Sequence, residues 1–211
     1  VDVSELDGLA LLAEYGVPTT ETRGATSADE AIAAAGEVGW PVALKTAAPG
    51  VHHKSDVDGV ALGLNDADAL RAAYEAMASR LGPQVVVAAM APPGIELALG
   101  IVRDPQFGPL VLVAAGGVLV EILHDRLLTF PPLDEQRARA LIDRLRVRPL
   151  LDGARGAPPS DIDALARAIS RLSSLAADLG DELEALDVNP VIVSPGGCVA
   201  VDALVVPTRR A

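Results

Sequence analysis

Short apolar runs alternate with N-capped helical patterns along the whole chain. That alternation confines the fold to α/β or α+β and excludes an all-helical or all-strand architecture. Ser4 can cap a first helix carrying Leu6, Leu9 and Leu12 on one side, stopped by Gly16 and Pro18. Ser27 and Glu30 predict a capping box for a helix from Ala28 to Gly39, the serine oxygen accepting one free amide while the glutamate returns to another. Pro41 opens an apolar strand over residues 42–45, and a second strand over 60–64 follows a polar loop. Asp66 caps a helix with Leu70, Ala73, Tyr74, Met77 and Leu81 at helical spacing, and 84–90 reads as a strand. Ala91-Pro92-Pro93-Gly94 then prohibits a helix and stiffens the chain. Beyond it come strands at 95–102, 110–114 and 119–123, helices at 134–145 and 161–179, and two closing strands around Ser194-Pro195-Gly196-Gly197. The expected organisation is a smaller lobe over 1–90 that includes the N-terminal helix, a hinge at 91–94, and a larger lobe over 95–211, with a ligand cleft between lobes.

Half of the residues are hydrophobic but only 2% are aromatic, so the core must be built from Ala, Val, Leu and Ile. Seventeen Lys+Arg against 29 Asp+Glu give a net charge of −12. With no basic surplus to neutralise phosphates, a general nucleic-acid binder is excluded. Cys198 is the single cysteine, which rules out an intrachain disulfide and fits a reducing cytoplasm. No uninterrupted apolar run reaches the ~18 residues of a membrane span. The N-terminus has neither the basic-then-apolar pattern of a signal peptide nor a starting Met, so the chain reads as a processed or excised piece.

The closing hairpin allows a geometric deduction. Asp187 and Asn189 are two apart on a strand and share a face. If 194–197 is the reversal, Val193 pairs with Cys198, and counting inward sets Asn189 opposite Asp202. Directly opposed Cβ atoms lie about 4.5–5.5 Å apart. An amide carbonyl and a carboxylate there can share one hard cation such as Mg²⁺, or else form a polar pair facing water. Lys45 ends an apolar strand, where it either holds a phosphate as a point charge or snorkels to the surface. The polar loop Val51-His52-His53-Lys54-Ser55-Asp56 carries two of the three histidines, groups able to shuttle protons, bind metal or accept a phosphoryl group. Gly116-Gly117 permits close approach of backbone to a ligand, or makes an ordinary turn. Arg103-Asp104-Pro105-Gln106-Phe107-Gly108-Pro109 reads as a turn between strands. There is no glycine-rich dinucleotide fingerprint, no lysine-ended phosphate loop and no zinc spacing.

In order, these pieces resemble the ATP-grasp domain of ADP-forming acyl-CoA synthetases. The resemblance runs through Tyr15-Gly16-Val17-Pro18, Gly39-Trp40-Pro41-Val42-Ala43-Leu44-Lys45 and His53-Lys54-Ser55-Asp56. It continues through Met90-Ala91-Pro92-Pro93-Gly94-Ile95-Glu96, the 103–109 turn, and Gly116-Gly117 with Glu121. Last come Pro149-Leu150-Leu151-Asp152-Gly153 with Arg155-Gly156, Asp187-Val188-Asn189-Pro190, and Val199-Ala200-Val201-Asp202. It implies a two-lobe ATP-grasp fold, each lobe a largely antiparallel sheet with helices, that clamps Mg-ATP. It further implies that Lys45, Glu96, Gly116, Gly117 and Glu121 contact nucleotide, that Asn189 and Asp202, with Asp187 beside them, hold Mg²⁺, and that His53 carries the phosphoryl group. The implied reaction is the reversible exchange of acyl-CoA, ADP and phosphate for a free acid, CoA and ATP. The CoA-binding and second ligase parts are absent from this chain, so a fused segment or partner subunit is expected to bring the acyl-CoA.

The chain departs from the family at four places. Asp58 stands in place of a glycine, Ala88 and Ala89 in place of polar hinge-strand residues, Ala115 in place of a glycine, and Thr129 in place of an arginine. An active phosphoryl-transfer module is therefore one expectation, and a degenerate ATP-grasp domain with a regulatory or scaffolding role, as in fusions to lysine acetyltransferases, is the other.

Overall fold

The computed structural model describes residues 3–51, 54–117, 125–154 and 156–208. Packing divides the chain into two compact units, Thr20–Ala91 and a second made of Val1–Thr19 with Pro92–Ala211. The break falls between Ala91 and Pro92, but the expected lobe of 1–90 needs a correction at its start. Helix α1 (Glu5–Glu14) buries Leu9 and Leu12 in one core with Leu97, Leu99 and Leu172. Thr19 bridges in parallel to Ala200, and the Ala200 amide donates to the Pro18 carbonyl at 2.8 Å. An amphipathic helix shows which face must be buried, not which core receives it.

The smaller unit is a four-stranded antiparallel sheet in the order β1 (Thr22–Ala25), β4 (Val85–Ala89), β2 (Val42–Thr46), β3 (Val60–Leu64). Helices α2 (Ala28–Val38) and α3 (Ala67–Leu81) cover one face, burying Ala31, Ala34, Ala35, Leu70, Tyr74 and Met77 against Val42, Leu44, Val85 and Val87. Small alanines on α2 let helix and sheet approach closely. Tyr74, one of the few aromatics, satisfies its hydroxyl by donating to the carbonyls of Thr26 (2.7 Å) and Pro83 (3.1 Å). At the start of α2, Ser27 Oγ accepts from the Glu30 amide, as the capping box requires. The return contact differs: the Glu30 carboxylate accepts from the amide and hydroxyl of Thr26, each at 2.8 Å, and not from Ser27. Those two bonds hold its acid below the usual carboxylate range.

The larger unit is a six-stranded sheet. Its path runs β10 (Leu204–Pro207), β8 (Leu183–Ser194), β5 (Ile95–Asp104), β6 (Gly108–Ala115), β7 (Arg126–Thr129), with β9 (Gly197–Ala200) also paired to β8. Every ladder is antiparallel. Among the described residues, helices α1, α4 (Glu135–Ile142), α5 (Arg148–Leu151) and α6 (Ile162–Leu179) belong to the unit. The apolar stripe of α6 buries Leu165, Ile169, Leu172 and Leu175 completely, each worth about 1.5–3 kcal/mol relative to exposure. The expected strand at 119–123 lies outside the described residues. Phe107 and Phe130 are both exposed and meet edge to face, ring centroids 6.0 Å apart. The turn that presents Phe107 is fixed by Asp104, whose Oδ1 accepts from the amides of Gln106 (2.8 Å) and Phe107 (3.0 Å).

Cys198 is buried, and its thiol donates to the Ala164 carbonyl at 3.3 Å. Burial, with Asp161 adding to it, pushes the thiol up to about 11. A thiol ionises more readily in the unfolded chain, near 8.5. The stability linked to this group is therefore complete below about pH 8.5 and declines as pH rises towards 11. Native protein should thus resist thiol reagents at pH 8 until denatured, and Cys198→Ala should flatten the alkaline limb of a stability-versus-pH curve.

Candidate active site

The hairpin carrying the expected metal ligands is regular in register and irregular in face. Val193 pairs with Cys198 and Val191 with Ala200; the Val201 amide donates to the Pro190 carbonyl; Asp187 then pairs with Leu204. One register runs unbroken through these pairs and sets Asn189 opposite Asp202. Strict alternation from buried Val193 and Cys198 would turn both residues into the core. Instead, buried positions on β8 run 186, 188, 191, 193, and on the facing strands 198, 200, 203, 205. Each strand spends two residues, 189–190 and 201–202, between buried positions at the same level. On the β5 side this is a bulge, because Leu97 pairs with Val191 while Leu99 pairs with Val188, so that Ala98 faces two residues. The paired kink returns Asn189 and Asp202 to the face of Asp187, away from the helices. Asp187 and Asn189 are exposed and Asp202 partly so.

Glu96 stands on the same face of β5, exposed, beside buried Leu97. Its carbonyl accepts from the Gly116 amide at 2.9 Å. A Cβ on Gly116 would lie 2.7 Å from the carbonyl carbon of Glu96 and 2.8 Å from its oxygen. Gly117 adopts φ +56°, and a Cβ there would collide with the Glu96 carboxylate. Gly116 is required where it stands, because a side chain there would meet backbone, whereas Gly117 holds a left-handed turn beside the tip of the Glu96 side chain. Asp125, on the far side of the 118–124 segment, is buried; its Oδ2 accepts from the Val147 amide at 2.8 Å, and its carbonyl accepts from the Ala115 amide at 2.9 Å. It pins the start of β7 to the chain entering α5. Sequence reading passed over Asp125 because a positioning carboxylate of this kind has no periodic signature.

In the smaller unit, Lys45 lies between Val60 and Val86 on the sheet face turned from α2 and α3, and only 4% of it is exposed. The snorkelling alternative is thereby excluded, and a buried ammonium is retained only against polar or charged groups. The loop before β3 ends in a 3₁₀ turn, Lys54–Val57. Arg80 of α3 clamps its end, donating to the carbonyls of Val57 (3.2 Å) and Asp58 (3.0 Å). Asp58 sits at φ +50°, the left-handed region that glycine fills without cost, which accounts physically for a glycine at that place in the family. His53 and Glu121 lie outside the described residues. Among the other departures, Ala88 is buried opposite Ala43, Ala115 is buried opposite Leu97, and Thr129 pairs with Val111 at the edge of the larger sheet.

Among the described residues no three His, Cys, Asp or Glu side chains group as a metal cage. Two carboxylates and an amide on one face are a donor set for a different cation. Mg²⁺ keeps several waters, takes one or two carboxylates and fills the rest of its octahedron with substrate phosphates. The residues present fit that ion.

A family model described as an ATP-grasp domain matches residues 2–206. The beta subunit of the ADP-forming acetate–CoA ligase II of Pyrococcus furiosus is 36% identical over 212 residues, covering 96% of this chain and 90% of that one. The ADP-forming acetate–CoA ligase I of Archaeoglobus fulgidus is 37% identical over 203 residues, covering 93% of this chain but 30% of that longer protein. Among solved structures, the dinucleotide-forming acetyl-coenzyme A synthetase 1 of Ca. Korarchaeum cryptofilum superposes with a TM-score of 0.88 at 37% identity, covering 98% of this chain and 93% of that one. That structure holds coenzyme A and Mg-AMPPCP, with its phosphohistidine segment pointing towards the nucleotide site. On sequence and on fold alike, the chain belongs to the ATP-grasp family, in the branch that serves ADP-forming acyl-CoA synthetases.

Proposed function

We propose that this chain is the nucleotide-binding, phosphoryl-transferring module of an ADP-forming acid–CoA ligase, which with its partner converts acyl-CoA, ADP and phosphate into a free acid, CoA and ATP, reversibly. The observation that carries the reading is the paired kink that sets Asn189, Asp202 and Asp187 on one exposed face. In this reading Asn189 and Asp202 hold Mg²⁺ with Asp187 beside them, and the ion supplies positive charge to phosphate oxygens. Glu96, Gly116, Gly117, Glu121 and Lys45 contact the nucleotide, Lys45 as a point charge on phosphate. A neutral imidazole nitrogen of His53 forms the N–P bond as the bond from the γ-phosphorus to the ADP oxygen breaks. The negative charge spread over the phosphoryl oxygens is what fixed cations stabilise. A net charge of −12 is no obstacle, because such a site needs only a local positive field.

The partner is a CoA-binding ligase subunit or fused segment, consistent with relatives that occur both as a beta subunit and as one longer chain. It brings the acyl-CoA. A buried, unreactive thiol suits a reducing cytoplasm, and among the described residues no helix is long and apolar enough to cross a membrane. The test is calorimetric titration with ATP, with and without Mg²⁺, followed by incubation of the chain and its partner subunit with γ-labelled ATP. Mg-dependent binding and an acid-labile label that His53→Ala does not carry are expected. Absence of binding would reject the module. Tight Mg-ATP binding without any label would favour the regulatory role.

A further inference from the structure

We propose that Arg126 grips the phosphate tail of the bound nucleotide from across the sheet, opposite the metal pair; the assignment rests on the function proposed above. The ladder places it there. Ala114 pairs with Arg126 on β7, Ala98 pairs with Ala114, and Ala98 faces the Asn189–Pro190 bulge of β8. One cross-strand row therefore reads Asn189, Ala98, Ala114, Arg126. Val111 and Val113 of β6 are buried in the helix-side core, so Ala114 and its partner Arg126 stand on the other face, the face of Asp187, Asn189 and Glu96.

The floor between the ends of that row is made of the smallest side chains. Ala98 and Ala114 are buried, 6% and 7% exposed, and in the next row Gly100, also without a long side chain, pairs with Asp187. Three strand spacings separate the row's ends, about 14 Å between Cα positions. The row thus has an amide and carboxylates at one end and a guanidinium on a long stem at the other, with small side chains between.

Charge makes the same point. Asp187, Asp202 and Glu96 border this face, and among the described residues of β5 to β8 that share it Arg126 is the one cation. A magnesium–triphosphate complex brings net negative charge to a rim that is already acidic. The ion offsets the carboxylates it touches, and the phosphate oxygens it leaves uncovered need a fixed cation. Arg126 is available for that task. Arg23, Arg71, Arg103, Arg139 and Arg148 are each tied to a carboxylate, whereas Arg126 is exposed and makes no hydrogen bond or ion pair among the described residues. A guanidinium serving only to guard an edge strand would not need to stand in a row with the metal ligands. Its planar fork matches phosphate oxygens two at a time.

The experiment is calorimetric titration of the full chain with Mg-ATP, comparing wild type, Arg126→Gln and Arg126→Lys at two salt concentrations, with adenosine as a ligand lacking phosphate. Arg126→Gln should weaken Mg-ATP about 10- to 100-fold, the range expected for a charge-assisted contact. Arg126→Lys should recover part of the loss, and the salt dependence of binding should shrink in the glutamine variant. Thermal unfolding and adenosine binding should not change. Equal Mg-ATP affinity in wild type and Arg126→Gln would overturn the assignment and leave the ATP-grasp reading standing. A wild-type chain that binds no Mg-ATP would overturn both.

Discussion

Replacing Asp202 by alanine is expected to weaken Mg-dependent nucleotide binding on the order of 100-fold or more while changing fold stability by no more than about 1 kcal/mol. A hard divalent cation draws most of its binding energy from charged oxygens, and the proposed donor set holds few of them: Asp202 and Asp187, with the neutral amide oxygen of Asn189. Removing one carboxylate lowers the anionic charge at the ion directly. The structural cost is small for a geometric reason. Asp202 occupies the irregular stretch between β9 and β10, outside both ladders, and it lies on the face turned from the core. Asp202→Asn should fall between, because it keeps a carbonyl oxygen but not the charge. Asn189→Ala should act on the same ion more weakly. Calorimetry at several Mg²⁺ concentrations separates the effects: the variants should converge on wild type when Mg²⁺ is left out. Equal Mg²⁺ dependence in Asp202→Ala and wild type would refute the metal assignment.

The same hairpin shows what the sequence could and could not disclose. Register is a matter of counting from a recognisable turn, and Ser194-Pro195-Gly196-Gly197 is one, so the pairing of Val193 with Cys198 was legible. Face is a matter of alternation, and alternation is interrupted on both strands at 189–190 and 201–202. Regular strands in that register would have buried both Asn189 and Asp202; the paired kink turns them out of the core. Helices with an N-cap and apolar positions at helical spacing, such as α3 from the Asp66 cap to Leu81, were legible almost to the residue. Three of the outer strands were not. β1, β7 and β10 have four residues each, and Thr22-Arg23-Gly24-Ala25 shows no apolar alternation, whereas the edge strand β3 is an apolar run, Val60-Ala61-Leu62-Gly63-Leu64, and reads as one. Arg126 was overlooked for that reason: outside a recognised strand it had no face. The docking of α1 on the larger unit was illegible too, since Leu9 and Leu12 fit either core.

Gly116→Ala is expected to destabilise the larger unit by about 2–4 kcal/mol, combining overpacking with a weakened hydrogen bond. The added methyl would sit 2.7–2.8 Å from the Glu96 carbonyl group and 2.8 Å from the carbonyl carbon of Leu97. These are backbone atoms of β5, the strand that pairs with both β6 and β8, so they cannot swing aside as a side-chain tip would. Relief requires β5 and the Gly116 turn to separate, which stretches the 2.9 Å bond from the Gly116 amide to the Glu96 carbonyl. It also moves Glu96 along the proposed nucleotide face, so on that proposal Mg-ATP affinity should fall together with stability. Gly36→Ala is the matched control. Gly36 lies inside α2, and a Cβ there meets nothing within 4 Å. Alanine at that helical site should stabilise the smaller unit by about 0.5–1 kcal/mol through helix propensity alone. Denaturant unfolding of the two variants measures both, and opposite signs are the expected result. A Gly116→Ala chain as stable as wild type would mean that the turn gives way freely and that Glu96 is not seated by it.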